Sequence, residues 1–167
     1  MIRVEMLPNL CTGANLLFGV LAIAAVFNHN FTLGAVFIIL AAVLDRLDGL
    51  LARRYDAASA FGKELDSLAD LVSFGVAPSL MLYATMTEKW PYAGLACFAF
   101  FILCGAYRLA RFNISTGSKK HFQGLPITAA GAILAVLVVI IHNPAVTLIS
   151  SVVIALAMIS AIRIPKI

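Results

Sequence analysis

The chain has 167 residues, of which 62% are hydrophobic and only 12% charged, and its mean hydropathy is +1.01. This composition excludes a soluble globular domain and indicates an integral membrane protein. At about 20 apolar residues per membrane span, the length allows about six transmembrane helices, short turns and no separate soluble domain. We therefore expect residues 1–167 to form a single transmembrane domain.

Six apolar segments follow one another along the chain, and each is predicted to be a helix because backbone inside a bilayer must satisfy its own hydrogen bonds. They cover residues 10–28, 31–51, 66–86, 91–110, 126–142 and 145–163. The first segment is interpreted as a span and not as a cleaved signal peptide, because only one basic residue, Arg3, precedes it and the sequence "LPN" interrupts its approach. The predicted fold class is an all-α membrane protein with six transmembrane helices, and strands are not expected.

Loop lengths and charges predict how these helices are oriented. The first, third and fifth loops are short, whereas the second and fourth, "RRYDAASAFGK" and "RFNISTGSKKHFQG", are longer and polar, which predicts three hairpins joined by two connectors. Eleven of the 12 Lys and Arg residues fall on the connector side, and only Lys89 falls on the other. Because positive loops stay inside, both termini and both connectors are expected on the cytoplasmic side of a cell membrane. The net charge of +4 then reflects topology and anionic headgroups, and no nucleic acid partner is expected.

Four aspartates, Asp45, Asp48, Asp66 and Asp70, lie at the connector ends of the second and third segments. Counted from the short turns on the far side, Asp45 lies about 21 Å and Asp70 about 26 Å along its helix, within a hydrocarbon core about 30 Å thick. Both carboxylates are therefore expected at similar depth, just inside the cytoplasmic boundary. An ionisable residue at that depth is costly, and by default it lines a binding site or a water-filled cavity.

Helical spacing places these carboxylates on shared faces. One face of the second helix carries Asp45, Asp48, Gly49 and Ala52, and one face of the third carries Asp66 and Asp70. Converging carboxylates repel one another unless cations intervene, and their hard oxygen atoms suit Mg²⁺ or Mn²⁺, with Ca²⁺ as a further occupant. Two such ions would neutralise four aspartates and leave room for a phosphate-bearing ligand. The small side chains of Gly49 and Ala52 would let it approach the backbone, and Arg53 and Arg54 could contact its phosphate oxygens.

Other interpretations of the aspartates stay open from the residues alone. Acidic residues at a helix end are often solvated or paired with a neighbouring Arg, which would suffice for Asp45 and Asp48. A small ion transporter would instead place charges near the membrane midplane and interrupt helices at matching positions of two inverted halves, and the sequence has neither feature. A structural scaffold gives no reason for intramembrane carboxylates at fixed spacing.

The whole constellation fits the pattern D-x-x-D-G-x-x-A-R-x8-G-x3-D-x3-D, which resembles the signature of the CDP-alcohol phosphatidyltransferase family. The matching residues are Asp45, Asp48, Gly49, Ala52, Arg53, Gly62, Asp66 and Asp70. Six helices with cytoplasmic termini are also similar to the core of that family, so the resemblance covers nearly the whole chain. It implies a catalytic domain in which a CDP-activated lipid gives its phosphatidyl group to an alcohol and CMP is released. It also suggests a homodimer.

The resemblance further implies roles for individual residues. Asp45, Asp48 and Asp66 would hold two metal ions, while Asp70 would touch the second ion and act as general base on the acceptor hydroxyl. The residues implied in binding the CDP-lipid are Pro8, Asn9, Thr12, Gly49, Ala52, Arg53, Ser59 and Gly62. For the stretch around Pro8 and Asn9, an ordinary helix entry is the alternative interpretation.

Three further stretches bear on the acceptor alcohol. "FGVAPS" at 74–79, "RLARFN" at 108–113 and "FQGLP" at 122–126 resemble the phosphatidylserine synthase branch of the family, which implies CDP-diacylglycerol and L-serine as substrates. Arg108 and Arg111, at i and i+3, are candidates to bind the serine carboxylate together with Asn113. The alternative role for both arginines is to fix the orientation of the helix in the membrane, as cytoplasmic cations do. Glycerol 3-phosphate or inositol phosphate is the alternative acceptor, and ester-linked or ether-linked lipid tails would fit equally well.

The remaining polar residues are expected to have no part in the chemistry. Cys11, Cys97 and Cys104 lie in apolar segments without the spacing of metal ligands, so packing roles are predicted. Lys119 and Lys120 are interpreted as solvated loop charges. His121 and His142 have no partner at ligand spacing and are assigned to a loop and to the membrane interface.

Overall fold

The computed structural model describes residues 7–55, 59–114, 121–160 and 163–165, and this part of the chain is a helical bundle with one short strand pair. The α-helices are α1 Leu7–Phe27, α2 Phe31–Arg54, α3 Ala60–Asp70, α4 Ala77–Met86, α5 Pro91–Ile114, α6 Ile127–Ile140 and α7 Pro144–Ile159. A π-helical segment, Leu71–Val76, joins α3 to α4 without a break, so the helical stretches number six in the described ranges.

Apolar length is sufficient for a multi-pass membrane protein. Within the described residues, the stretches Pro8–Phe27, Ala60–Met86 and Pro91–Ile114 are long and apolar enough to cross a membrane, whereas α6 and α7 are apolar but shorter. The helix α2 is as long as these, but charged residues make its C-terminal half polar. The prediction of an all-α membrane protein with six helices is confirmed.

The π-helical segment, Leu71–Val76, covers the first half of the sequence "FGVAPS" and ends shortly before Pro78. Pro78 has no backbone N–H, so the regular hydrogen bond to the carbonyl of Phe74 cannot form, and the N–H of Ala77 instead donates to the carbonyl of Val72. Neighbouring helices approach this segment closely through glycines. A Cβ at Gly19 of α1 would collide with Ser73, and one at Gly131 of α6 would collide with Phe74. The segment therefore fixes α1 and α6 next to Asp70, the residue that precedes it.

Apolar side chains fill the core of the bundle. The large fully buried ones are Ile38, Phe74, Met81, Leu82, Met86, Phe101, Ile127, Leu134 and Met158. The short turns before α2 and α7 meet at the end away from the aspartates, where residues 28–32, 141, 142 and 144 line one cavity. Lys89 and Trp90, from the turn before α5, lie beside His142 and Asn143. The predicted hairpin arrangement agrees with this grouping of the short turns.

Several helix boundaries differ from the prediction, among them the end of the fourth stretch, which runs to Ile114 and not to residue 110. The third helical stretch begins at Ala60 and not at residue 66, because the Ser59 side chain caps it by accepting a hydrogen bond from the Gly62 N–H. The sixth was predicted to run to residue 163, but α7 ends at Ile159, and the next residue, Ser160, has extended backbone (φ −59°, ψ 153°).

The structure also has a short pair of strands, which the sequence interpretation did not expect. The strands β1 His121–Gln123 and β2 Arg163–Pro165 pair antiparallel, with Phe122 opposite Ile164. The proline in β2 favours extended backbone before it and is tolerated where no ladder hydrogen bond from its nitrogen is needed. Each strand has only three residues, so the fold class is unchanged.

Some predicted residues lie outside the described part of the chain. They are Arg3, Lys119, Lys120 and Lys166. The topological prediction therefore depends on the sequence for these cations.

Candidate active site

Three aspartates, two from α2 and one from α3, come together. Asp45, Asp48 and Asp66 each offer one carboxylate oxygen, and these three atoms lie within 4.8 Å of one another. The Oδ1 atom of Asp66 is buried and has no hydrogen-bond partner among the described residues. A buried carboxylate oxygen without a donor is costly unless a cation supplies the missing charge. The cluster, with its hard oxygen atoms, could hold a divalent metal ion.

Threonines from two other helices orient two of these carboxylates. Thr12 of α1 donates from Oγ1 to Asp48 Oδ2 over 2.9 Å. Thr128, in the first turn of α6, donates to Asp45 Oδ2 over 3.1 Å. Each bond occupies one oxygen and fixes the direction of the carboxylate, which is how partners of metal ligands commonly act. Four helices thus contribute to the arrangement.

Asp70 lies beside this cluster, one turn beyond Asp66 on α3. It is buried, and its Oδ1 accepts a hydrogen bond from Asn15 Nδ2 of α1 over 3.2 Å. Its carboxyl group also interacts electrostatically with Asp45 and Asp66. On the other side, the buried guanidinium of Arg108 interacts electrostatically with both Asp70 and Asp45. The structure therefore brings the four predicted aspartates together, with Asp70 on the side nearest α5.

A cavity of about 190 Å³ adjoins the cluster between α1, α2 and α3. It is lined by Pro8, Asn9, Thr12, Asp48, Gly49, Ala52, Ser59, Gly62, Lys63 and Asp66. Seven of the eight residues predicted to bind the CDP-lipid are in this lining. A Cβ at Gly62 would lie 2.9 Å from Asn9 Oδ1 and 3.1 Å from Ser59 Oγ, so a side chain there would fill the cavity. The eighth, Arg53, lies outside the lining, with its guanidinium across the α2 surface near Gly49.

The three residues predicted to bind the acceptor occupy different surroundings. Arg108 faces the aspartates, and its buried Nε has no hydrogen-bond partner within the described ranges. Arg111 donates to the carbonyl oxygens of Ile159 (3.2 Å) and Ser160 (3.3 Å), the last turn of α7, where a cation suits the free carbonyls. Asn113 donates from Nδ2 to Ser67 Oγ over 3.0 Å and so joins α5 to α3.

Sequence interpretation missed three residues of the site. Lys63 lines the cavity and donates from Nζ to the backbone carbonyl of Asn113 over 2.8 Å. Its position three residues before Asp66, on the same helical face, could have revealed it. Asn15 is a polar residue inside an apolar span, three residues after Thr12, which is itself an indication of function. Thr128 lies 83 residues from Asp45 in sequence, and no local pattern marks it.

Apolar helices around a buried carboxylate cluster, with a cavity beside it, define a multi-pass membrane protein with a candidate metal centre. The sequence model of the CDP-alcohol phosphatidyltransferase family matches residues 5–162. Because that match covers almost the whole chain, the protein belongs to this family.

The names of three curated relatives all refer to serine or to a serine-containing lipid. The chain is 38% identical over 159 residues to a CDP-diacylglycerol–serine O-phosphatidyltransferase of Bacillus subtilis (strain 168), covering 95% of this chain and 89% of that protein. It is 43% identical over 138 residues to a protein of the same name from Helicobacter pylori (strain J99), covering 81% of this chain and 58% of that protein. An archaetidylserine synthase of Methanothermobacter thermautotrophicus is 37% identical over 126 residues, 74% of this chain and 54% of the relative. The chain therefore spans little more than half the length of the last two.

Proposed function

We propose that this protein transfers the phosphatidyl group of CDP-diacylglycerol, or of an ether-linked equivalent, to the hydroxyl of L-serine, giving phosphatidylserine and CMP. Family membership and the names of the relatives support this reaction. The archaeal relative's name is the reason to keep ether-linked lipid as a substrate. The observation that carries the proposal is the aspartate cluster of α2 and α3, which adjoins a cavity lined by the residues of the family pattern. Residues 1–167 would then act as a single transmembrane catalytic domain.

Asp45, Asp48, Asp66 and Asp70 would hold two divalent ions, Mg²⁺ or Mn²⁺, with Ca²⁺ as a further occupant. The unpartnered Asp66 Oδ1 supports this assignment. When bound, the ions supply positive charge that stabilises the attacking and leaving oxygens of a displacement at phosphorus. Thr12 and Thr128 keep the carboxylates of Asp48 and Asp45 in one orientation, so little reorganisation is needed before the reaction.

The CDP moiety would occupy the cavity between α1, α2 and α3. Small residues at Gly49, Ala52 and Gly62 leave the space, while Pro8, Asn9, Thr12 and Ser59 surround it. Lys63 adds a cation to this lining, and its ammonium group has donors to spare for phosphate oxygens because one bond to the Asn113 carbonyl uses one of three. Arg53 would reach the ligand from the α2 surface. The cavity thus combines a negatively charged wall, where metal is expected, with cations near its rim.

Asp70 is suited to act as the general base. Its carboxylate is oriented by Asn15 and lies on the α5 side of the cluster, away from the CDP cavity lining. In the proposed step it takes the proton of the serine hydroxyl while that oxygen bonds to the phosphatidyl phosphorus and the bond to CMP breaks. Arg108 would bind the serine carboxylate, because its guanidinium interacts electrostatically with Asp70 and its Nε lacks a partner in the described structure. Arg111 and Asn113 would then support this end of α5, through α7 and α3 respectively.

We further propose that both termini and the site face the cytoplasm of the cell membrane, as the distribution of Lys and Arg predicts. A homodimer is expected from the family resemblance alone. Labelling of single cysteines introduced at Lys89 and at Tyr55 in intact cells, with a membrane-impermeant reagent, tests the orientation. Only the first should be labelled.

An acceptor panel tests the reaction. Purified protein is given CDP-diacylglycerol and Mn²⁺ with serine, glycerol 3-phosphate or inositol phosphate in turn, and CMP release is followed. Of the three acceptors, we expect only serine to give CMP release, together with phosphatidylserine. Turnover with inositol phosphate or glycerol 3-phosphate but not with serine would contradict the proposed acceptor while leaving the family chemistry intact.

A further inference from the structure

Asn15 is a fully buried polar residue in the middle of an apolar helix, and only half of its carboxamide is used. Its Nδ2 donates to Asp70 Oδ1 over 3.2 Å. Its Oδ1 is buried and has no hydrogen-bond partner among the residues that the structure describes. A carboxylate accepts hydrogen bonds and does not donate them, so the amide nitrogen must face Asp70 and the oxygen must point elsewhere. The site therefore contains an unused acceptor next to the proposed base.

The position of Asn15 is fixed by its surroundings. Its backbone carbonyl accepts a hydrogen bond from Ser73 Oγ over 3.0 Å, and Gly19, one turn further along α1, lies against the same serine. This contact locks α1 onto the π-helical segment that follows Asp70. The carboxamide thus has little freedom to turn toward another partner, and leaving its oxygen without a donor costs free energy. A group that arrives with a hydrogen-bond donor would relieve that cost.

The acceptor substrate brings such a group. In the proposed reaction the hydroxyl of L-serine meets Asp70, and its carboxylate meets Arg108. The remaining substituent is the ammonium group, which has three donors and needs an acceptor that is not itself the base. Asn15, Asp70 and Arg108 stand on α1, α3 and α5, and both Asn15 and Arg108 interact with Asp70.

From this arrangement we infer that Asn15 Oδ1 accepts a hydrogen bond from the ammonium group of L-serine, so that Asn15 determines specificity for an amino alcohol as acceptor. The inference rests on the proposed function. It assigns two roles to one side chain: the amide nitrogen orients the base, and the amide oxygen recognises the substrate. An acceptor without an ammonium group would leave that oxygen buried and unpaired, which is a common basis for rejecting an analogue.

The test compares two acceptors that differ in this group, L-serine and 3-hydroxypropanoate, which has the same hydroxyl and carboxylate but no ammonium. The kcat/KM of each is measured with CDP-diacylglycerol and Mn²⁺ for the wild type and for Asn15→Leu. Because both acceptors need Asp70, any loss of its orientation affects both and cancels in the ratio of the two kcat/KM values. We expect the wild type to prefer serine, and Asn15→Leu to lower that preference about tenfold or more, mainly through the KM for serine. The KM for CDP-diacylglycerol should stay within about twofold.

Ser73→Ala is the matched control, because it removes the contact that docks α1 at the same depth and leaves the Asn15 carboxamide in place. Its preference for serine should equal that of the wild type. An unchanged preference in Asn15→Leu, or an equal fall in both variants, would overturn the inference. If Asn15→Leu does not fold, Asn15→Ser is measured instead, and the preference must fall there too because its hydroxyl cannot reach the place of the carboxamide oxygen. A wild type that does not use serine at all would contradict the proposed function itself and is thereby distinguished from a failure at Asn15.

Discussion

The two ends of the helical bundle use polar side chains in different ways. At the aspartate end, hydrogen bonds join side chains of different helices, as from Thr12 to Asp48 and from Thr128 to Asp45. At the opposite end, polar side chains bond to backbone within their own helix turn, as Asn30 does at the start of α2 and Thr147 in α7. Hydrogen bonds between helices fix the relative positions of the carboxylates, whereas the local bonds only satisfy backbone groups in the first turn of a helix. The comparison indicates that one end is built for chemistry and the other for stability.

Removal of the carboxylate cluster should have the largest effect at the aspartate end. Excess chelator should abolish CMP release, and Mg²⁺ or Mn²⁺ should restore it. Asp45→Ala, Asp48→Ala and Asp66→Ala should each lower kcat/KM by about 10³-fold or more, because metal stabilisation of transition-state charge is worth several kcal/mol. Glu64→Ala is the control, since Glu64 is an exposed acid two residues from Asp66 and should be neutral. Full turnover in excess chelator would contradict the metal centre.

Loss of the proposed base should impair chemistry while leaving binding intact. Asp70→Asn keeps the shape of the side chain, and Asp45, Asp48 and Asp66 remain to hold metal. We expect CDP-lipid binding close to that of the wild type and a kcat lower by about 10²–10⁴-fold. Equilibrium binding of a CDP-lipid and steady-state kinetics measure the two quantities. A variant that loses binding in proportion to turnover would show that Asp70 acts as a substrate ligand and not as a base.

A substitution at the opposite end should lower stability and leave the activity of the folded protein unchanged. Met86 is fully buried near the end of α4. Met86→Ala should leave a cavity and lower the free energy of unfolding by about 2–5 kcal/mol, with kcat per folded molecule unchanged. Thermal unfolding in detergent, set beside activity below the transition, measures both. If kcat fell as much as for the aspartate variants, the separation between the two ends would be wrong.

Two threonines offer the finest comparison. Thr128→Val removes the donor to Asp45 without changing the volume much, and we expect activity to fall by about tenfold, the value of one hydrogen bond to a charged group. Thr147→Val removes a hydroxyl whose hydrogen bonds, within the described residues, go only to the backbone carbonyls of Asn143 and Pro144 at the start of α7. It should leave both activity and Mn²⁺ affinity unchanged. Equal losses in the two variants would contradict the assignment of Thr128 to the site.

The sequence predicted the parts of the site that depend on helical spacing. Asp45 and Asp48 had to share a face, as did Asp66 and Asp70, and the depth of both pairs could be counted from the short turns. Nothing local predicted that Thr128, in another part of the chain, would meet Asp45. Cross-helix partners depend on how the helices pack, which a periodic pattern does not encode.

Fold boundaries were missed for similar reasons. The start of α3 is amphipathic and depends on the cap at Ser59, so a search for apolar runs placed it six residues late. The π-helical segment results from Pro78 combined with the close approach of α1 and α6, and only the proline is visible in the sequence. The pairing of β1 with β2 joins two distant stretches of three residues, too short for any alternating pattern to appear.

The most direct test of the aspartate end as a catalytic centre is rapid quenching of the enzyme with CDP-diacylglycerol and Mn²⁺, with and without L-serine. Direct displacement with Asp70 as base requires both substrates together, so CMP should form only when serine is present, in equal amount to phosphatidylserine. A stoichiometric burst of CMP without serine, with lipid attached to the protein, would show that a side chain acts as nucleophile and would contradict the account.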